Sequence, residues 1–249
     1  MARRDILAYH KVGSQFELGI TSVTQSRFIN HLELLSAAGK RFHNASDLVF
    51  DGANGDGVAL TFDDGYESVY THVFPEMSDR GITGTVFPVV GSIGMENHWD
   101  VRLSLRRFKH LSWEHLSELS RAGFEIGSHT MSHRDLTRMD LPRLRRELRD
   151  SKHMLEDRLG AKVRSIAFPF GRQDSRVIDE AVGAGYTCGF ASAPNGSDSV
   201  MTVGRMGVHA MDGDAALARM LGLRPGHCLE VLKNRVIANL SLVTTLIKR

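Results

Sequence analysis

Two cysteines, Cys188 and Cys228, are all that 249 residues contain. Their spacing matches no zinc-binding pattern, and a single pair makes no disulfide framework. Both read as small apolar residues buried in a core. Net charge is nearly absent too: 31 lysines and arginines stand against 29 aspartates and glutamates, a formal +2. No positive excess exists to hold a polyanion, which argues against nucleic acid as the main partner. No apolar run is long enough to span a bilayer. The first residues, MARRDILAYHKVG, carry two arginines, but the apolar run is too short for a secretion signal and no small-residue cleavage site follows. The expectation is a cytoplasmic protein. Repeats, low-complexity tracts and linkers are also missing, so residues 1–249 read as one domain, with a helical extension from about residue 214. That tail, CLEVLKNRVIANLSLVTTLIKR, is apolar with scattered cations. It reads as a helix packed on the domain; the other reading lays it on a membrane surface, at the inner face for a cytoplasmic chain.

What the chain does have is alternation. Short apolar runs (DILAYH, VALTF, TGTVFPVV, FEIGSH, VRSIAFPF, YTCGFAS, MTVGRMGVH) are separated by amphipathic stretches. Residues 24–38 put Phe28, Ile29, Leu32 and Leu35 on one helical face before Gly39. A second helical stretch, YESVYTHVFPEMSDRG, accommodates Pro75. A third begins at Ser112 as N-cap and stops at Gly123. A fourth runs from the Asp140 cap past Pro142 to Gly160, with a dense charge that reads as a solvated face. Strand–helix alternation predicts a parallel sheet with crossover helices, and about seven repeats suit a closed or nearly closed β/α barrel. Reactive groups in such folds gather at the C-terminal ends of the strands.

Three strand ends carry chemistry. In LTFDDG, residues 60–65, Asp63 and Asp64 are adjacent anions whose repulsion a metal cation would offset, and Gly65 permits a sharp turn. A helix N-cap in a strand–helix loop is the plain alternative. In GSHTMSH, His129 and His133 stand four apart, which on a helical turn puts them on one face. Two imidazoles and one carboxylate make a facial ligand set for Zn²⁺ or a similar divalent ion. In IAFPFG, Pro169 and Gly171 shape a loop able to aim a backbone N–H into the barrel mouth. His10 ends the first apolar run, where a structural histidine would be unremarked on its own. The other histidines have no ligand spacing and read as surface or packing residues.

LTFDDG, SHTMSH and AFPFG, in that order, resemble the first three motifs of the NodB-homology polysaccharide deacetylases. ILAYHKV, FINHLELLSAAGKRF and GRMGVH extend the resemblance over roughly residues 5–209. It implies a distorted seven-stranded β/α barrel and metal-dependent removal of N-acetyl groups from amino sugars in an oligosaccharide, polysaccharide or glycolipid. Carried over, Asp64, His129 and His133 hold the metal, Zn²⁺ first, with Co²⁺, Ni²⁺ and Mn²⁺ fitting the same ligands. Asp63 is the general base, and the Phe170 N–H supports the oxyanion. A general acid must protonate the leaving amine. Most of the family uses a late histidine after a leucine; His209 in GRMGVH lacks that leucine. A permuted subgroup, typified by the poly-N-acetylglucosamine deacetylases, supplies the acid from an N-terminal aromatic–histidine strand end, which AYHKV resembles. His10 therefore ranks ahead of His209.

The chain departs from the family at three points. An arginine that orients the base in many members is replaced by Ala167, and Arg205 is the candidate to supply its charge from another strand. The third-motif tyrosine is Phe170. No aspartate–tryptophan fourth motif occurs, and Trp99, before Asp100, reads equally as a sugar-stacking residue or a rim aromatic. Competing functions are another amide or ester hydrolysis on the same scaffold and an inactive sugar-binding module. Neither the sugar nor the oligomeric state is set by the sequence.

Overall fold

The computed structural model describes residues 5–13, 21–51, 55–96, 108–192 and 199–247. Its central element is β5 (Gly57–Asp64), buried along its whole length. It runs parallel to β1 (Asp5–Tyr9), with Leu7 opposite Leu60, and to β6 (Thr85–Pro88), with Asp63 opposite Phe87. The sheet continues from β6 to β7 (Glu125–Ile126), and from β1 through β10 (Val203–Gly207) and β9 (Cys188–Ser192) to β8 (Ser165–Ala167). The two ends meet just past β7. Ser128 donates its N–H to Ser165 O at 2.9 Å and accepts from the Ala167 N–H at 2.9 Å. Seven parallel strands therefore surround one core in chain order, as expected for the barrel. A short strand, β4 (Arg41–His43), pairs with the start of β5, and β2 (Lys11–Gly13) pairs with β3 (Ser22–Thr24) beyond the end of β1.

Helices cover the barrel where the sequence has helical spacing. In α1 (Gln25–Ala37) the Thr24 hydroxyl accepts from the Arg27 N–H. Its buried face is Phe28, His31, Leu32 and Leu35; Ile29 is only half-buried, and His31 takes the inner place because Tyr9 needs a partner there. Tyr9 is fully buried, lies 3.0 Å from His31 Nδ1 through its hydroxyl, and stacks on Phe62. Burial raises the Tyr9 pKa far above its ordinary value, so it stays a neutral phenol. The end of β1 is thereby pinned, which fixes where His10 leaves the strand.

Pro75 enters a helix because a π-turn over Val69–Val73 precedes α3 (Phe74–Ser78), placing the proline in a first turn that needs no N–H from it. The Ser112 cap of α4 (Trp113–Arg121) is reciprocal: its hydroxyl accepts from the His115 N–H, and His115 Nδ1 accepts from the Ser112 N–H. The 19-residue α5 (Leu141–Leu159) is capped by Asp140, stops at Gly160 in the left-handed region, and buries Leu144, Leu148, Ser151 and Leu155. The barrel is completed by α2 (Ala45–Phe50), α6 (Ser175–Gly183), α7 (Asp214–Met220) and α8 (His227–Ile247). No helix among the described residues is long and apolar enough to cross a membrane. Cys188 is buried as expected, but Cys228 is exposed, because α8 turns Glu230 and Asn234 inward instead.

Closure of the barrel needs a glycine between β7 and Ser128. A Cβ on Gly127 would lie 2.3 Å from Phe87 Cε1 and 2.6 Å from Ser165 Oγ. Gly127→Ala should therefore destabilise the fold by about 1–3 kcal/mol through overpacking. Urea denaturation checks this; a midpoint equal to that of the parent protein would show that the closure has slack.

Candidate metal centre and its surroundings

All three sequence motifs open onto the C-terminal mouth of the barrel. Asp63 and Asp64 end β5, and both are buried, at 4% and 6% exposure. Residues two apart on a strand share a face, so Thr61 and Asp63 point to the same side. There they meet Arg205 of β10. Its Nη1 donates to Asp63 Oδ1 at 2.7 Å and to Thr61 Oγ1 at 3.0 Å, and its Nη2 donates to Asp63 Oδ2 at 2.7 Å. The guanidinium packs against the touching rings of Phe87 and Phe190, 5.4 and 5.9 Å from their centroids. Burial alone would raise the Asp63 pKa. The Arg205 charge, with His129 and His10 behind it, outweighs burial and holds the carboxyl down at about 2. Asp63 is thus held as an ionised carboxylate at the strand end.

Asp64 faces two imidazoles. His129 Nε2 lies 3.6 Å and His133 Nε2 3.5 Å from Asp64 Oδ1, and the three ligand atoms fall within 4.8 Å of one another. Hydrogen-bonded partners would approach to about 2.8–3.0 Å. Ligands spread tetrahedrally around an ion at about 2.0–2.1 Å from each would stand about 3.3–3.5 Å apart. The set therefore fits a divalent cation better than a direct hydrogen bond. The His129 tautomer agrees. Its Nδ1–H donates to Ala167 O at 2.7 Å, which leaves a lone pair on Nε2, and burial lowers its pKa, which keeps the ring neutral. Ala167, where the family's arginine is missing, thus supplies the carbonyl that orients this ring.

His129 and His133 come together by a different route from the one their spacing suggests. The segment after β7 is a loop, with no helical turn. Positive φ at Thr130 (68°) and His133 (52°) folds it back. Asp64 (68°) and Phe170 (59°) share that region, and no other non-glycine residue among those described does. All four lie in the three motifs. Phe170 sits in the turn Pro169–Gly171, held by Gly171 N–H to Phe168 O at 2.8 Å and Arg172 N–H to Pro169 O at 3.1 Å. The Phe170 N–H takes no part in these bonds, and its ring lies 4.8 Å from that of His133.

Glu147, within the charged run of α5, does more than face solvent. Its Oε2 accepts the N–H groups of Met131 and Ser132, each at 2.9 Å, and its Oε1 accepts the Ser132 hydroxyl. From the other side, the Val90 and Gly91 N–H groups donate to Thr130 O and Met131 O at 3.0 and 2.9 Å. The histidine loop is clamped from both sides. Nothing in the spacing of α5 distinguishes Glu147 from its charged neighbours.

Both candidate acid histidines reach this rim. His10 is half-buried beyond β1, and its Nδ1 has no hydrogen-bond partner among the described residues. Burial pushes its pKa down to about 4, against the pull of the Asp63 carboxylate, and the Arg205 charge acts with burial. His209 is engaged. Its backbone N–H donates to Asp212 Oδ2 at 2.8 Å, and its Nδ1 lies 3.2 Å from the same oxygen. Asp212 in turn accepts from Lys233 of α8. Trp99 and Asp100 lie outside the described residues.

A parallel β/α barrel with a candidate metal centre at its C-terminal mouth is one class of scaffold. Within it, this chain belongs to the polysaccharide deacetylase family, whose model matches residues 51–189. The chain is 28% identical over 137 residues to YxkH of Bacillus subtilis, named as a polysaccharide deacetylase; the match covers 55% of this chain and 45% of that protein. It is 24% identical over 203 residues to the poly-β-1,6-N-acetyl-D-glucosamine N-deacetylase of Staphylococcus aureus, covering 74% and 68%. Among solved structures, the Streptococcus pyogenes deacetylase PplD superposes with a TM-score of 0.76 at 20% identity, over 88% of this chain and 97% of that one. IcaB from Ammonifex degensii gives 0.70 at 24%, over 88% and 95%. At these identities the structural likeness speaks for the fold.

Two substitutions probe the geometry. Arg205→Ala leaves the Asp63 carboxylate buried without its partner and should remove about 3–5 kcal/mol of stability, measured by thermal or urea unfolding. Glu147→Ala should weaken divalent-metal binding by about tenfold, read by calorimetry or chelator competition, with the melting temperature of the metal-free protein nearly unchanged. Unaltered metal affinity would show that the loop keeps its shape without the clamp.

Proposed function

We propose that the protein is a metal-dependent deacetylase that hydrolyses the N-acetyl groups of amino sugars in a glycan or glycan-bearing lipid. One observation carries this reading: an ionised carboxylate outside the ligand set, Asp63, held by Arg205 at the same strand end as Asp64. A site that only bound sugar would have no use for a base beside a metal. The donors, two imidazoles and one carboxylate, suit Zn²⁺, with Co²⁺, Ni²⁺ and Mn²⁺ accommodated by the same atoms. The named relatives that act on poly-β-1,6-N-acetylglucosamine make that polymer the first substrate to try.

When bound, a divalent ion at Asp64, His129 and His133 supplies Lewis-acid polarisation of the acetamide carbonyl and acidifies water. Asp63 accepts the proton of the attacking water, and Arg205 keeps its carboxylate aimed and ionised. The Phe170 N–H donates to the oxygen on which negative charge develops. His10 hands a proton to the nitrogen as the C–N bond breaks, giving acetate and a free amine. The negative charge that develops on the carbonyl oxygen acts on His10 in the same sense as the Asp63 carboxylate, favouring its protonated form. His209, fastened to Asp212, shapes the rim.

Acetate release from β-1,6-linked N-acetylglucosamine oligomers by the metal-loaded protein tests the reading. A chelator should abolish release and added metal should restore it. Asp63→Asn should lower turnover by about 10²–10⁴-fold. His10→Ala should fall by a comparable factor, and His209→Ala by less than about tenfold. Full turnover in His10→Ala with loss in His209→Ala would transfer the acid role to His209. Metal-dependent release from simple amides or esters, with none from any acetylated sugar, would point to a different hydrolase on the same scaffold.

A further inference from the structure

Helix α8 has two faces with different fates. Its inner face is fixed to the barrel. Glu230 is buried and pairs with Arg219 at 2.7 Å and with Lys233 at 2.5 Å; Lys233 also reaches Asp212, beneath His209. Asn234 is buried against β10, so close that a Cβ on Gly207 would lie 2.9 Å from its Oδ1. A second face is apolar and open. Leu229, Leu232 and Val236, at helical spacing, are 68%, 59% and 48% exposed. In the sequence the same spacing continues at Leu240, Val243 and Ile247. Leu223, just before the helix, is exposed as well.

Outward charge along this segment has one sign. Between residues 223 and 249 the only acidic residue is Glu230, which is turned inward; Arg224, Lys233, Arg235, Lys248 and Arg249 are basic. Arg224 and Arg235 are exposed, and Arg235 falls beside the stripe on the helix. We propose that α8 is an interfacial helix, docking the protein on an anionic lipid surface with Leu229, Leu232 and Val236 inserted among the acyl chains and the arginines among the headgroups. A second copy of the chain fits the stripe less well. Pairing two such helices sets basic residues side by side, and neither helix carries an outward acid of its own. Helix α8 also packs against the Pro169–Gly171 turn and β10. Docking therefore sets the barrel mouth beside the membrane, where a glycan chain held at a lipid surface would meet it. That consequence rests on the deacetylase reading; the docking does not.

Cosedimentation of the full chain with vesicles decides the matter. Vesicles of phosphatidylcholine mixed with phosphatidylglycerol should pellet the protein, phosphatidylcholine alone should not, and raised salt should release it. Leu229→Ser/Leu232→Ser/Val236→Ser, all at exposed positions, should lower partitioning by at least about tenfold, with unchanged circular dichroism and unchanged turnover on soluble oligomers. Arg224→Gln and Arg235→Gln should each lower it by about fivefold. No binding to anionic vesicles, or equal binding by the triple variant, overturns the proposal. So does a concentration-dependent dimer, abolished by the triple substitution, that ignores lipid. Vesicle binding by a protein that releases no acetate would sink the deacetylase reading alone.

Discussion

Two neighbouring carboxylates buried at one strand end cannot both stay ionised unless positive charge meets each of them. In a medium of low effective dielectric their repulsion would otherwise protonate one. The barrel answers from two directions. Arg205 crosses from β10 to take both oxygens of Asp63, and the loop after β7 brings two imidazoles to Asp64. Those answers differ in kind. A guanidinium is permanently charged, so Asp63 is locked as an anion. Two imidazoles offer nitrogen donors in place of a fixed charge, so the side of Asp64 suits a cation. The adjacency of the two residues therefore joins a fixed anion to an ion-binding pocket across a single peptide bond.

Holding that arrangement requires backbone that L-residues avoid. Asp64, Thr130, His133 and Phe170 each have positive φ. Such conformations cost of order 1–3 kcal/mol apiece and persist only where surrounding contacts over-determine them. Those contacts are visible. A Cβ on Gly65 would lie 2.8 Å from Pro88, so the turn after Asp64 is seated directly on β6. His110 Nδ1 lies 3.0 Å from Asp64 O. Glu147 and the Val90–Gly91 amides grip both edges of the histidine loop. Serving this geometry explains why several groups around the mouth act on backbone and touch no ligand.

The seven-stranded barrel was legible because its signals are local: apolar runs closed by glycine, caps such as Ser112 and Asp140, and regular alternation. The ligand residues were legible because few side chains suit a divalent ion. What escaped depends on tertiary proximity. The four-residue spacing of His129 and His133 is the same in a helical turn as in a loop with two positive φ values, and the loop is what forms. Glu147 acts on residues 16 and 15 positions earlier, a relation no periodicity records. Asp212 belongs in the same group, since its partners His209 and Lys233 come from different elements. Cys228 read as buried because helical spacing does not say which face of α8 the barrel takes. Arg205 stood out only through the gap that Ala167 leaves in the family pattern.

That gap shows how one contact can be traded between strands. In the family pattern an arginine precedes the third-motif proline, on the strand that here is β8. In this chain the cation comes from β10, on the far side of β9, and the vacated position does other work. Alanine has no side chain to crowd the mouth, and its carbonyl receives the His129 Nδ1–H at 2.7 Å. The guanidinium then packs, buried, against the paired rings of Phe87 and Phe190, with its charge directed at Asp63. A barrel permits this exchange because side chains from non-adjacent strands converge at its axis. What must be preserved is the charge at the Asp63 oxygens; the strand that delivers it is free to change.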